Sequence, residues 1–253
     1  MARSFKKNQE EVRSQQHHKD VDRRRSRTPN LRLDDLITID PMTKAQAEAF
    51  AEWKNNNHLI LSGAAGTGKT FIALYLALET ILDRSSFQKK IYIVRSIVPT
   101  REIGFLPGTI DEKLEAYKAP YIGICAELFE DRDAYNNLVE QNRIEFLSTS
   151  FIRGTTMDDA IIIVDECQNL NFHELDSIVT RCGKNTRIIL SGDYYQSDFT
   201  RNADKTGILE FLNIFEQIKD VCHIQFIWSD IVRSDFVREY IMTKELIRRN
   251  NGS

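Results

Sequence analysis

Eight consecutive residues, Gly63-Ala64-Ala65-Gly66-Thr67-Gly68-Lys69-Thr70, constrain the fold of this chain more than any other segment. They follow a short apolar run, His58 to Ser62, and open onto an unbroken apolar stretch, Phe71 to Leu78. A strand that ends in a glycine-rich turn and continues as a helix aims several backbone N–H groups, and the positive end of that helix, at one point. Such a point holds an anion. The G-x-x-x-x-G-K-T spacing adds a lysine that reaches β- and γ-phosphates and a threonine hydroxyl that ligates magnesium. The segment therefore predicts a phosphate cradle for ATP or GTP with Mg2+. Gly63, Ala64, Ala65, Gly66, Thr67, Gly68, Lys69 and Thr70 line it, and Thr70 serves the metal.

The rest of the chain supplies the sheet that such a turn requires. Lys90 to Val94, Ala160 to Val164, Arg187 to Ser191 and His223 to Trp228 read as further strands. Most are short continuous apolar runs, the pattern of strands buried on both faces. After the turn, Thr70 to Leu82 carries Phe71, Leu74, Tyr75, Leu78 and Leu82 at helical spacing, with apolar residues between them, so this helix is expected to be buried on most sides. Thr109-Ile110-Asp111-Glu112 fits a capping box that opens another helix, and Asn171-Phe172-His173-Glu174 a weaker one. Alternation of this kind predicts an α/β fold with a mostly parallel sheet flanked by helices.

Two more segments carry chemistry. Ala160 to Val164 ends in adjacent carboxylates, Asp165 and Glu166. Ligands of open α/β sheets sit at the carboxyl ends of the strands, so this pair is expected beside the phosphate cradle. Asp165 is the candidate magnesium ligand and Glu166 the candidate base that polarises an attacking water. Ser191-Gly192-Asp193-Tyr194-Tyr195-Gln196 closes the next strand, and the Gln196 amide could orient water or sense a γ-phosphate. These residues turn expected binding into expected hydrolysis.

Composition bounds the remainder. The chain has 253 residues, enough for one large domain with a proper core or at most two small ones. Its net charge of -3 hides a basic N-terminal stretch: residues 1–28 hold nine Arg or Lys and four acids, a local balance of +5 against -8 elsewhere. Residues 1–35 are polar and are expected to form a disordered basic tail, with 36–253 as the folded domain. No apolar run approaches the ~18 residues needed to span a bilayer, and the N-terminus lacks the apolar core of a secretory signal. Cys125, Cys167, Cys182 and Cys222 stand far apart, so neither a disulfide framework nor a zinc site is expected. A cytoplasmic protein with no membrane partner fits these features.

Taken together, the motifs resemble the PhoH family, phosphate-starvation-inducible ATPases related to the superfamily-one helicase core. The resemblance runs from about Thr43 to Ile247. It includes Arg95-Ser96-Ile97-Val98-Pro99, Glu102 to Gly108, Ala119-Pro120-Tyr121 and Phe151-Ile152-Arg153-Gly154. It continues through Asp165-Glu166-Cys167-Gln168-Asn169, Thr180-Arg181-Cys182-Gly183, Gly192 to Asp198 and Asp230-Ile231-Val232-Arg233. Cys167 departs from the usual Ala. The resemblance implies a single RecA-like P-loop NTPase domain. It further implies that Gln46, beside Thr43, reads adenine, and that Arg233 stabilises charge on the γ-phosphate. Arg95 and the loop to Gly108, with Arg101 and Phe105, would contact nucleic acid.

The expected activity is Mg2+-dependent ATP hydrolysis with Lys69, Asp165, Glu166, Gln196 and Arg233 as catalytic residues. It is coupled to binding or remodelling of single-stranded nucleic acid, RNA before DNA, with helicase-like action as a further expectation. Related two-domain helicases close their site between tandem cores, so a homo-oligomer is expected here, and the resemblance implies a hexameric ring. Two other readings remain at this stage. One is a P-loop kinase acting on a small molecule; the other is a non-catalytic ATP-gated nucleic-acid clamp.

Overall fold

The computed structural model describes residues 30–96, 110–149, 152, 154, 156–193 and 202–251. Helix α1 (Lys44–Lys54) precedes β1 (His58–Gly63), which turns through the glycine-rich segment into α2 (Lys69–Leu82) and on to β2 (Lys90–Arg95). Two helices, α3 (Ile110–Phe129) and α4 (Ala134–Glu140), lead to β3 (Ile144–Ser148). Then come β4 (Ala160–Asp165), α5 (Phe172–Val179), β5 (Arg187–Gly192), α6 (Asn202–Phe215), β6 (Val221–Phe226) and α7 (Asp235–Asn251).

The six strands form one sheet in the order β3-β2-β4-β5-β1-β6, with every pairing parallel. This is the RecA-like α/β fold, fully rather than mostly parallel. Parallel strands need crossovers, and helices used as crossovers cover both faces. The core accordingly divides in two, and the strands alternate between the halves. Leu59, Leu61, Ile91, Ile93, Ile161, Ile163 and Ile189 pack with α1 to α4 on one face. Ile60, Val94, Ile162, Val164, Ile188 and Leu190 pack with α5 and α6 on the other. Every residue of β4 and β5 is buried. Each aliphatic side chain so removed from water contributes roughly 1.5–3 kcal/mol.

Helix α2 is buried along most of its length, from Ile72 to Leu82, as its sequence requires. The capping box at α5 is present: the Asn171 side chain accepts from the Glu174 N–H at 3.0 Å and the Glu174 carboxylate from the Asn171 N–H at 3.0 Å. Helix α3 begins at Ile110, where the other box places it, although Thr109 itself lies outside the described residues.

Three expectations are corrected. Strand β3 has no counterpart among the strands read from the sequence; it is an edge strand whose three middle residues are only partly buried, so it lacks the apolar run of its neighbours. The last strand begins at Val221 and ends at Phe226, and Trp228 belongs to a short 3-10 turn instead. Packed structure also starts before residue 36. Leu31 and Leu36 are both buried against the larger core, on either side of a 3-10 turn at Leu33–Asp35. Residues 1–29 of the expected tail lie outside the described residues.

Candidate functional site

Strands β1 and β4 are separated in the sheet by β5, and their carboxyl ends lie at one edge. The glycine-rich turn leaves β1 there. Gly63 takes φ +122°, and a Cβ on it would stand 1.9 Å from the Phe226 carbonyl oxygen, so only glycine fits so close to β6. Gly66 and Gly68 also have positive φ, at +78° and +85°. The turn is braced from three sides. The buried Thr67 hydroxyl donates to the Ala64 carbonyl at 2.9 Å. The Gln46 side-chain amide, on α1, donates to the Thr67 carbonyl at 3.3 Å. The Val232 N–H donates to the Gly66 carbonyl at 3.1 Å.

Lys69 opens α2. Its ammonium donates to the carbonyls of Gly63 and Ala64, each at 2.7 Å. Burial lowers its pKa, while the carboxylates of Asp193, Glu166 and Asp165 oppose that shift. A cation folded back on its own loop, with three carboxylates nearby, can exchange carbonyl oxygens for phosphate oxygens by a local rotation.

Thr70 and Asp165 meet as the motifs require. The Thr70 hydroxyl donates to Asp165 Oδ1 at 2.9 Å. A hydroxyl and a carboxylate oxygen side by side are hard donors of the kind Mg2+ takes, with water and phosphate oxygens completing its shell. Among the described residues no cluster of three or more His, Cys, Asp or Glu could hold a metal by itself. Asp165 is almost wholly buried, and its second oxygen is also engaged: the Tyr121 hydroxyl, on α3, donates to Oδ2 at 2.7 Å.

Glu166 follows in a left-handed conformation, φ 51° and ψ 41°. A non-glycine residue held there carries backbone strain of about 1–3 kcal/mol, and it is restrained from its side-chain end. Gln168 donates to Glu166 Oε2 at 2.5 Å and accepts from the Asp193 N–H at 3.1 Å. Gln168 thus ties the candidate base to the end of β5. Gly192 makes this possible: a Cβ there would lie 2.4 Å from Gln168 Oε1 and 2.8 Å from Cys167 Sγ. Cys167, fully buried, packs against that same glycine.

The remaining candidates divide. Gln46 is buried, and its side-chain oxygen accepts from the Met42 N–H at 2.8 Å, so its amide braces the cradle as well as flanking it. Arg233 is exposed, but its stem lies over the cradle, with Cγ 3.2 Å from where a Gly66 Cβ would be. Arg95 turns to the carboxylates. It pairs in register with Asp165, sits 5.7 Å from the Tyr117 ring centroid, and hydrogen-bonds Tyr121. Tyr121, Asp165 and Glu166 together raise its pKa against the opposing effect of burial. Gln196, Arg101 and Phe105 lie outside the described residues.

Tyr121 and Gln168 stand in blocks quoted from the sequence, but neither was given a role there. Tyr121 had a signal: it heads the buried stripe Tyr121, Cys125, Leu128 of α3 as the one hydroxyl among apolar side chains. Gln168 stands three positions after Asp165, but only the chain reversal at Glu166 turns it back.

The four cysteines form no disulfide, and burial pushes Cys125 up to about 12 and Cys182 to about 11. Among the described residues no helix is long and apolar enough to cross a membrane.

Comparison with known proteins gives this chain a family. The family model described as PhoH-like protein matches residues 38–245. A PhoH-like protein of Bacillus subtilis (strain 168) is 31% identical over 205 residues, covering 81% of this chain and 63% of that protein. One of Mycobacterium leprae (strain TN) is 30% identical over 216 residues, covering 83% and 61%. Protein PhoH of Escherichia coli (strain K12) is 30% identical over 202 residues, covering 79% and 56%. The chain thus spans about 56–63% of the length of these relatives. Among solved structures, a large terminase from a thermophilic bacteriophage is similar at 14% identity and TM-score 0.48, over 79% of this chain and 50% of that one. With its phosphate cradle, its paired carboxylates and a match over most of its length, this chain belongs to the family of PhoH-like proteins, P-loop nucleotide-binding proteins.

Proposed function

We propose that this protein hydrolyses ATP with Mg2+ and couples hydrolysis to the binding or remodelling of single-stranded nucleic acid, RNA before DNA. The observation that carries the hydrolytic reading is the contact between Thr70 and Asp165, with Glu166 adjacent and tethered by Gln168. Thr70 and Asp165 would hold the ion, which neutralises phosphate charge when bound. Lys69 and the N–H groups of Gly63 to Thr70 bind and orient the phosphates. Glu166 accepts a proton from water. A base beside the metal carboxylate favours water as acceptor over the hydroxyl of a small molecule, so hydrolysis is preferred to a kinase reaction. Arg233, its stem already over Gly66, is the candidate for charge on the terminal phosphate, and Gln196 for sensing it.

The nucleic-acid half of the proposal rests on the family resemblance and on Arg101 and Phe105. Arg95 supports it indirectly, because it links the end of β2 to the carboxylates. The proposal also has the site completed by further copies of the chain in a closed ring, six by resemblance, acting in the cytoplasm.

The deciding measurement is phosphate release from ATP, with and without single-stranded RNA or DNA, at two salt concentrations. Hydrolysis that nucleic acid stimulates, with the stimulation fading as salt rises, is expected from phosphate-backbone contact. Binding of ATP without any release supports the clamp reading instead, and stimulation by neither polymer removes the nucleic-acid half. Light scattering that finds an active monomer removes the ring.

A further inference from the structure

The cradle and the acidic pair account for one oxygen of Asp165. The other is taken by a residue of the Ala119-Pro120-Tyr121 block, to which no role was given. Tyr121 is 1% exposed and lies on the core side of Asp165, with its hydroxyl 2.7 Å from Oδ2. Its ring packs on Phe146 of β3, centroids 5.9 Å apart. The carboxylate is therefore held between two hydroxyls, Thr70 on Oδ1 and Tyr121 on Oδ2. These two donors differ in kind. Thr70 belongs to the cradle and is itself a candidate ligand of the ion. Tyr121 is part of the hydrophobic core, fixed by α3 and β3, and has no access to a ligand.

A buried hydroxyl that donates to a carboxylate limits its rotation. The Tyr121 phenol sits in the apolar core and directs its one hydrogen at the carboxylate. Arg95 closes the arrangement. It hydrogen-bonds Tyr121 and lies over Tyr117, one helical turn earlier on α3.

We propose that Tyr121 is a positioning residue for the magnesium site: it holds the Asp165 carboxylate in the orientation that accepts the ion, and it anchors α3 to that orientation. The proposal deepens the reading of Thr70 and Asp165 as metal ligands and rests on it. Groups that orient a metal ligand from behind typically change metal affinity or activity by about 10–100-fold when removed.

The test is a titration of MgCl2 against binding of a fluorescent ADP analogue, with wild type, Tyr121→Phe and Phe146→Leu. Tyr121→Phe deletes only the hydroxyl. It is expected to raise the Mg2+ concentration for half-maximal tight binding by about tenfold or more, and to leave binding in EDTA at the wild-type level. Phe146→Leu loosens the packing under the ring but keeps the hydroxyl. It is expected to lower the melting temperature with no change in Mg2+ dependence. A wild-type Mg2+ curve for Tyr121→Phe overturns the proposal, as does an equal shift in Phe146→Leu. The underlying reading fails separately and visibly: wild-type binding would then be indifferent to Mg2+, or Asp165→Asn would leave its Mg2+ dependence intact.

Discussion

The Thr70 hydroxyl donates to Asp165 Oδ1 at 2.9 Å across 95 positions of sequence. One residue lies in the first turn of α2 and the other ends β4, and β5 lies between β1 and β4. Asp165→Asn keeps the shape but replaces an anionic oxygen by an amide. Mg2+-dependent tightening of nucleotide binding is expected to be lost, and phosphate release to fall about a hundredfold or more. Thr70→Ala should weaken Mg2+ dependence in the same direction. Calorimetric titration of ADP with Mg2+ or with EDTA reads both; equal affinities of wild type and Asp165→Asn in Mg2+ would remove Asp165 from the site.

Glu166→Gln separates binding from chemistry. The amide cannot take a proton, so release of phosphate is expected to drop by about 10²–10⁴-fold while ATP affinity stays within about twofold. Gln168→Ala removes the tether at Glu166 Oε2 and leaves the base in place. A smaller fall in kcat, about tenfold, with KM unchanged is the expected outcome. If Glu166→Gln hydrolyses ATP as fast as wild type, the base is another group.

Gly192→Ala should damage the site without touching a charged group. Its Cβ would press on Gln168 Oε1 and Cys167 Sγ, at 2.4 and 2.8 Å, so both must move. A loss of about 1–3 kcal/mol in stability is expected, together with reduced kcat. Urea unfolding and steady-state kinetics report these independently; unchanged kcat would show that the Gln168 tether is dispensable.

Arg187, at the start of β5, lies at the opposite end of that strand from Gly192. It stacks 3.2 Å from the Trp53 ring centroid and donates to the Trp53 and Asn57 carbonyls at 2.6 and 3.0 Å. Burial pushes its pKa down to about 10, so it remains charged at neutral pH. Arg187→Ala removes the ring stacking and a donor from both carbonyls, of which Trp53 keeps the Asn56 N–H, and is expected to cost about 2–4 kcal/mol, with nucleotide affinity preserved. Denaturant midpoint and nucleotide titration together check this; a loss of affinity at unchanged stability would contradict it.

The cradle was legible because its chemistry is local. Three glycines, a lysine and a threonine within eight residues specify a backbone path, and the flanking apolar runs specify what leads in and out. The capping box at Asn171 and the buried runs of β4 and β5 follow from equally short-range rules. Strand β3 escaped because an edge strand with a half-exposed face carries little apolar signal. The early packing of Leu31 escaped because two leucines in a polar stretch have no periodicity.

Residue chemistry and spacing thus specified the phosphate turn, the acidic pair and the class of sheet that joins them. They could not specify which side chains converge behind that pair. Tyr121 reaches Asp165 only because α3 is laid across the sheet by the packing of its apolar stripe. Gln168 reaches both Glu166 and Asp193 only because the chain turns left-handed at Glu166 and Gly192 leaves room. Arg95, read from its motif as facing nucleic acid, bonds the tyrosine that bonds Asp165. Each of these contacts joins separate elements or depends on their packing, and burial, which makes them strong, is a property of the assembled core.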